Sequence, residues 1–234
     1  YLGEFPSNIG DLVNMNNIHI SDCGLYGSLP PSIGNLENLV SMQIYDNDHD
    51  LLDSLGLNSQ LSGIIPTELA NLENLQYLRL DNNDLNGEVP IELEQLGNLV
   101  SIILNGNQLS GEIPQSLMNL TTLVSISLSE NQLSGTIPSD IVGLINLETI
   151  DLSNNNFTGE IPIGLEQIPN LYYVNLANNQ LSGNINEHFC DMYFVDFSNN
   201  AFCSPYAQCL SSDEVGWQDT LNCSDLYVTD YNNL

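Results

Sequence analysis

The side chains best placed for chemistry in this sequence are carboxylates. From Asp46 to Asp53 the chain reads Asp-Asn-Asp-His-Asp-Leu-Leu-Asp, so Asp46, Asp48 and Asp50 alternate and Asp53 follows closely. Carboxylates at alternate positions can converge on a hard cation, as at the start of an EF-hand-type loop. The match is partial: the glycine at the sixth loop position is missing, and Leu57 stands where a bidentate glutamate would close the site. The reading is a calcium site on Asp46, Asp48, Asp50 and Asp53, with a solvated acidic loop as its alternative. A structural calcium is the one cofactor suggested.

Nucleophilic and acid–base chemistry has less support. His19, His49 and His188 lie far apart, none in a catalytic spacing, and neither a phosphate-cradling glycine loop nor a Gly-x-Ser-x-Gly elbow occurs. The chain is therefore read as a non-enzyme. Cys190, Cys203, Cys209 and Cys223 cluster near one end without a C-x₂-C knuckle, which favours two disulfides over zinc and an oxidising compartment over the cytosol. Three pairings are open. Cys23 lies far from this group and is expected to stay reduced.

What positions these groups is a repeat. Pro6, Pro30, Pro66, Pro90, Pro114, Pro138 and Pro162 are spaced by 24 residues except for one step of 36. The phrase around each recurs, as in Leu109-Ser-Gly-Glu-Ile-Pro114 and Leu133-Ser-Gly-Thr-Ile-Pro138, and Leu-x-Leu-x-x-Asn precedes it. In Leu75-Gln-Tyr-Leu-Arg-Leu-Asp-Asn-Asn83 the alternation turns Leu75, Leu78 and Leu80 inward and Gln76, Tyr77, Arg79, Asp81 and Asn82 outward, which is strand periodicity. Asn83 and its equivalents Asn47, Asn107, Asn131, Asn155, Asn179 and Asn200 are expected to form a buried amide ladder, with Cys23 as the first rung. The glycine of each phrase, Gly87 for example, is expected to adopt a conformation that a Cβ would hinder.

Self-similarity at this period resembles the leucine-rich repeats, and the Leu-x-Gly-x-Ile-Pro phrase resembles their plant-type subclass, which includes polygalacturonase inhibitors and receptor-kinase ectodomains. The resemblance implies an α/β repeat: a right-handed solenoid with a parallel concave β-sheet, a second short sheet beside it and a disulfide-stapled C-terminal cap. Residues 1–200 would form the solenoid, with an insertion at 48–59, and 201–234 the cap and tail. Phe202-Cys-Ser-Pro-Tyr-Ala-Gln-Cys209 looks like the short cysteine loop that closes many such ectodomains, which favours Cys203–Cys209 with Cys190–Cys223. Tyr1-Leu-Gly-Glu-Phe-Pro6 aligns with Leu61-Ser-Gly-Ile-Ile-Pro66, so the chain enters a repeat part-way and its first coil is expected to be open, including to self-association.

The expected concave surface reads as columns. His19, Gln43, Arg79, Ile103, Ser127, Asp151, Asn175 and Asp196 are central; the column from Asn17 to Phe194 flanks them on one side and that from Ser21 to Ser198 on the other. Bulk gathers at the ends. The candidate ligand-binding residues are Tyr45, Tyr77, Arg79 and Asp81 near the insertion and Asp151, Tyr173, Asn175, Phe194 and Asp196 near the cap, since aromatic side chains offer large apolar area at low entropic cost. Tyr172 and Tyr193 are either part of this cluster or packed into the sheet edge.

One Lys or Arg, which is Arg79, stands against thirty Asp or Glu, for a net charge of −29. Such a surface repels nucleic acid and anionic lipid heads. No apolar run approaches a membrane span, and sequons occur at Asn119, Asn156 and Asn222. The expectation is a secreted or cell-surface recognition module that binds a protein or peptide on the concave face. A neutral glycan is the alternative ligand and ice the third.

Overall fold

The computed structural model describes residues 3–46, 60–220 and 223. Each 24-residue period forms one coil of three segments: a strand such as Tyr77–Arg79, a second strand such as Asp84–Glu88, and a 3₁₀ turn such as Ile91–Gln95. The first strands of successive coils stack into an eight-stranded parallel sheet from Asn17–Ser21 to Phe194–Asp196, and the second strands into a nine-stranded parallel sheet from Gly3–Glu4 to Ala201–Phe202. Register in the eight-stranded sheet aligns Ile18, Met42, Leu78, Ile102, Ile126, Ile150, Val174 and Val195. All eight are buried and belong to one continuous core.

The return segments are 3₁₀ turns rather than α-helices, and leucine spacing explains it. In the coil after Pro66 the N–H of Leu69 bonds the Pro66 carbonyl, Leu72 bonds Leu69, and Leu75 bonds Leu72, each three residues back. A 3₁₀ turn has 3.0 residues per turn, so side chains three apart eclipse on one side. Leu69, Leu72 and Leu75 therefore all point inward, each fully buried. The same triplet recurs as Leu93, Leu96 and Leu99 and as Leu117, Leu120 and Leu123. A spacing of three along the whole segment would carry an α-helix round by 60° per step; only the tighter winding keeps all three in the core.

The amide ladder forms as expected in Asn83, Asn107, Asn131, Asn155, Asn179 and Asn200, all buried. Asn131 shows the pattern. Its Nδ2 donates to the carbonyls of Leu104 in the preceding coil and of Leu128 and Ser129 in its own, while its Oδ1 accepts the Leu109 N–H. Each rung thus ties backbone groups of its own coil to those of the preceding one. The residue before the rung is left-handed, as at Asn82, Glu130 and Asn154 with φ of 51°, 54° and 54°. Gly87 (φ +79°) bears out the expectation for the phrase glycines: a Cβ there would lie 3.0 Å from the Ile64 methyl that folds over it. Cys23 packs against the core but is half-buried rather than buried, and it joins neither disulfide. Asn47 and the insertion at 48–59 lie outside the described residues.

The solenoid closes through a rung that the repeat pattern does not announce. Residues 214–219 run beside the last coil: the Phe197 N–H bonds the Glu214 carbonyl and the Asn199 N–H bonds that of Trp217, the bonds a further coil would supply. Gln218 then takes the ladder position. Its Oε1 accepts the Phe202 N–H and its Nε2 donates to the Phe197 and Val215 carbonyls, the same three kinds of bond that Asn200 makes one coil earlier to the Leu181 N–H and the Leu176 and Phe197 carbonyls. A four-residue α-helix, Ser212–Val215, leads into it through a capping box between Ser211 and Glu214. The favoured disulfide pairing is corrected here. Cys190 pairs with Cys209 and Cys203 with Cys223, at Cα separations of 5.7 and 5.6 Å. Each bridge ties a solenoid residue, Cys190 in the last 3₁₀ turn or Cys203 just past the last strand, to the covering segment. A Cys203–Cys209 bridge would instead have closed a loop that holds nothing down.

Candidate ligand-binding face

The eight-stranded sheet presents one side to the core and the other outward, and two of the three expected outward columns are in register along its whole length. Pairing aligns His19, Gln43, Arg79, Ile103, Ser127, Asp151, Asn175 and Asp196, and beside them the column from Asn17 to Phe194. The third column does not reach the surface along much of its length. Asp81, Ser129, Ser153 and Ala177 are buried because the chain already turns inward there toward the ladder asparagine. The face is therefore two columns wide, and Asp81, expected as a direct ligand contact, is 3% exposed.

Asp81 is instead paired with its neighbour Arg79. Its carboxylate accepts from Arg79 Nε at 2.6 Å and from Nη2 at 3.1 Å, a bidentate fork between the last residue of the strand and the residue two on. The guanidinium carbon lies 3.5 Å from the centre of the Tyr45 ring, whose hydroxyl bonds His19 Nε2 at 2.9 Å. Hydrogen bonding to Asp81 raises the Arg79 pKa further. The chain's one cation is thus held rigid and largely neutralised, with Tyr77 beside it 43% exposed. Asp46, at the same rim, accepts a hydrogen bond from Asn82. Asp48, Asp50 and Asp53, the rest of the expected calcium set, lie outside the described residues. Among the described residues no three metal-ligating side chains converge.

Apart from Ile103, the middle of the face is small and polar. Thr149 donates to Ser125 at 2.8 Å and Ser127 to the Asn105 amide oxygen at 3.2 Å, so these hydroxyls already have partners on the face. The cap end differs. Tyr173 and Phe194 stack with centroids 4.5 Å apart and planes 12° from parallel, forming a flat, half-exposed platform. Asp151, Asn175 and Asp196 line its edge. Each uses Oδ1 to accept the backbone N–H two residues on, at Ser153, Ala177 and Ser198. Burial, and the charges of Asp151 and Asp196, push the Tyr173 hydroxyl above its usual pKa. Those carboxylates make this end a site of negative potential against an aromatic surface. Tyr172 and Tyr193 are not packed into the sheet edge: they are 44% and 87% exposed and meet edge-to-face at 6.5 Å.

Family models for leucine-rich repeats match residues 14–36, 74–96, 97–157 and 145–188. The BIR2 ectodomain from Arabidopsis thaliana is 35% identical, covering 59% of this chain and 75% of that one, with a TM-score of 0.53. The chain belongs to the leucine-rich-repeat family. The Arabidopsis receptor kinase HAESA, crystallised with the peptide hormone IDA and the co-receptor SERK1, is 32% identical with a TM-score of 0.78, covering 86% of this repeat protein and 32% of HAESA. A TDR receptor is likewise 32% identical with a TM-score of 0.79, covering 92% and 36%. The chain therefore spans about a third of those two structures. None of the curated proteins matches it.

Proposed function

We propose that this leucine-rich-repeat chain is an extracellular, non-catalytic recognition module that takes an extended basic peptide along the eight-stranded face. The observation that carries the reading is the Tyr173–Phe194 platform edged by Asp151 and Asp196. A lysine or arginine of the ligand laid on that platform gains a cation–π contact and one or two carboxylate partners together. Seven steps of ~4.8 Å give a face about 34 Å long, the length of roughly ten extended residues. The tied hydroxyls in its middle let backbone pass without bulk. A net charge of −29 draws a basic ligand in and repels an acidic one. Two disulfides suit an oxidising compartment. Among the described residues no helix is long and apolar enough to cross a membrane. Peptide hormones bound to structural neighbours such as HAESA support the ligand class.

A neutral glycan is the second reading, because a flat aromatic pair also suits a sugar ring. Selection from a random peptide display library, run beside a glycan array, separates them. The peptide reading expects enriched sequences carrying Lys or Arg whose binding falls in a Tyr173→Ala, Phe194→Ala variant and in an Asp151→Asn, Asp196→Asn variant. Neutral glycan hits that need only the aromatic pair would overturn it.

A further inference from the structure

The nine-stranded sheet carries a second surface that the proposed peptide face does not use. After each phrase glycine comes an outward residue whose side chain folds over the glycine of the next coil: Glu88 over Gly111, Glu112 over Gly135, Glu160 over Gly183. In this column the occupants are Ser28, Glu88, Glu112, Thr136, Glu160 and Asn184, all polar, with one departure, Ile64. A parallel column follows each proline, and there Ile91 stands in the coil next to that of Ile64. Ile64 is 61% exposed and Ile91 58%. Both line one open groove of about 750 Å³ whose floor is Val89, Ile113 and Pro114.

Glu88, Glu92 and Glu112 line the same groove. The chain's single cation, Arg79, sits on the other sheet and is bound to Asp81. Two exposed isoleucines over an apolar floor, ringed by carboxylates without a basic residue in reach, are complementary to one kind of occupant. It must bring aliphatic side chains for the floor and positive charge for the rim. A second copy of this chain would bring twenty-nine more negative charges. An anionic membrane surface would be repelled in the same way.

We propose that this groove docks a basic polypeptide segment of a partner protein, anchored by aliphatic side chains on Ile64 and Ile91 and by Lys or Arg on Glu88, Glu92 and Glu112. The site is independent of the eight-stranded face, and both can be filled at once. Aliphatic anchoring separates specific docking from the attraction any polycation feels for this surface.

The test uses a short synthetic peptide of lysine and isoleucine with serine spacers, and a counterpart of equal charge with alanine for isoleucine. Binding is followed by calorimetry, and by methyl chemical shifts of Ile64 and Ile91. The isoleucine peptide should bind about tenfold tighter or more, the yield of sinking a single aliphatic side chain. Ile64→Ser with Ile91→Ser should erase that difference without lowering Tm, since both side chains are exposed. Glu88→Gln with Glu112→Gln should weaken binding more than Glu37→Gln with Glu73→Gln, which removes equal charge from the 3₁₀ side. Equal affinity for the two peptides overturns the proposal, as does loss of binding in the Asp151→Asn, Asp196→Asn variant with the groove variants unaffected. A concentration-dependent dimer abolished by Ile64→Ser and Ile91→Ser would assign the groove to a second copy and overturn it as well.

Discussion

Replacing Asn131 with alanine tests the ladder. The side chain makes three donor contacts, to the carbonyls of Leu104, Leu128 and Ser129 at 3.1, 3.1 and 3.0 Å, and accepts the Leu109 N–H at 2.9 Å. Two amide hydrogens cannot serve three acceptors fully, so the loss is nearer three good bonds than four. At about 1 kcal/mol net each, with a further 1–2 kcal/mol or so for leaving the buried Leu109 N–H without an acceptor, the change should cost about 4–5 kcal/mol. For a chain of this size that lowers Tm by roughly 8–20 °C. Urea unfolding gives the free energy, and native-state hydrogen exchange at the Leu109 amide gives the local effect. Asn119→Ala, at an exposed position ending a 3₁₀ turn, is the control and should stay within ~0.5 kcal/mol. A loss under ~1 kcal/mol for Asn131→Ala with Leu109 still protected would refute the ladder as a source of stability. Gln218→Ala extends the test to the end of the stack, where exchange should rise first at the Phe202 amide, which loses its acceptor.

The cap supports two more predictions. Peptide mapping of unreduced protein should recover Cys190 joined to Cys209 and Cys203 to Cys223, and replacing either pair with serine should cost about 3 kcal/mol, the closure entropy of loops spanning 19 and 20 residues; recovery of a Cys203–Cys209 peptide would contradict the structure. Hydrogen bonds from the Ser211 hydroxyl and backbone hold the Glu214 carboxyl below its ordinary 4.5. A lowered folded-state pKa contributes stability that is fully present above 4.5 and is lost as pH falls through the lowered value. The short Ser212–Val215 helix should therefore loosen only below pH 4.5, and Glu214→Gln should flatten that dependence, read from exchange at the Val215 amide; an unchanged profile would remove Glu214 as its cause.

Most of the fold was legible because its period is written in residues with narrow conformational roles. The asparagine rungs, the phrase glycines and the strand alternation each follow from one local demand, and the two outward columns fell in register without adjustment. The winding of the return segments was not read from the sequence, where the resemblance implied an α/β repeat; its signal is the three-residue spacing of Leu69, Leu72 and Leu75. The misses lie where context overrides pattern. Asp81 alternates like a surface residue, yet the turn toward Asn83 carries it inward onto Arg79. Gln218 breaks the 24-residue register and differs in type from every other rung, and only its hydrogen bonds reveal it. The disulfide pairing depends on how residues 203–220 fold back over the last coil, which no spacing between cysteines encodes.

The central claim rests on charge at the cap end of the eight-stranded face, and affinity measured against that charge tests it most directly. Asn in place of Asp151 and Asp196 keeps the oxygen that accepts the Ser153 and Ser198 N–H groups, so the fold should hold while two negative charges leave. The measurement is the Kd of a display-selected basic peptide for the native chain and for the Asp151→Asn, Asp196→Asn variant, at low and high salt. The account predicts at least tenfold weaker binding for the variant at low salt, with the gap narrowing as salt screens the native site. Equal affinities for the two proteins at low salt would contradict it.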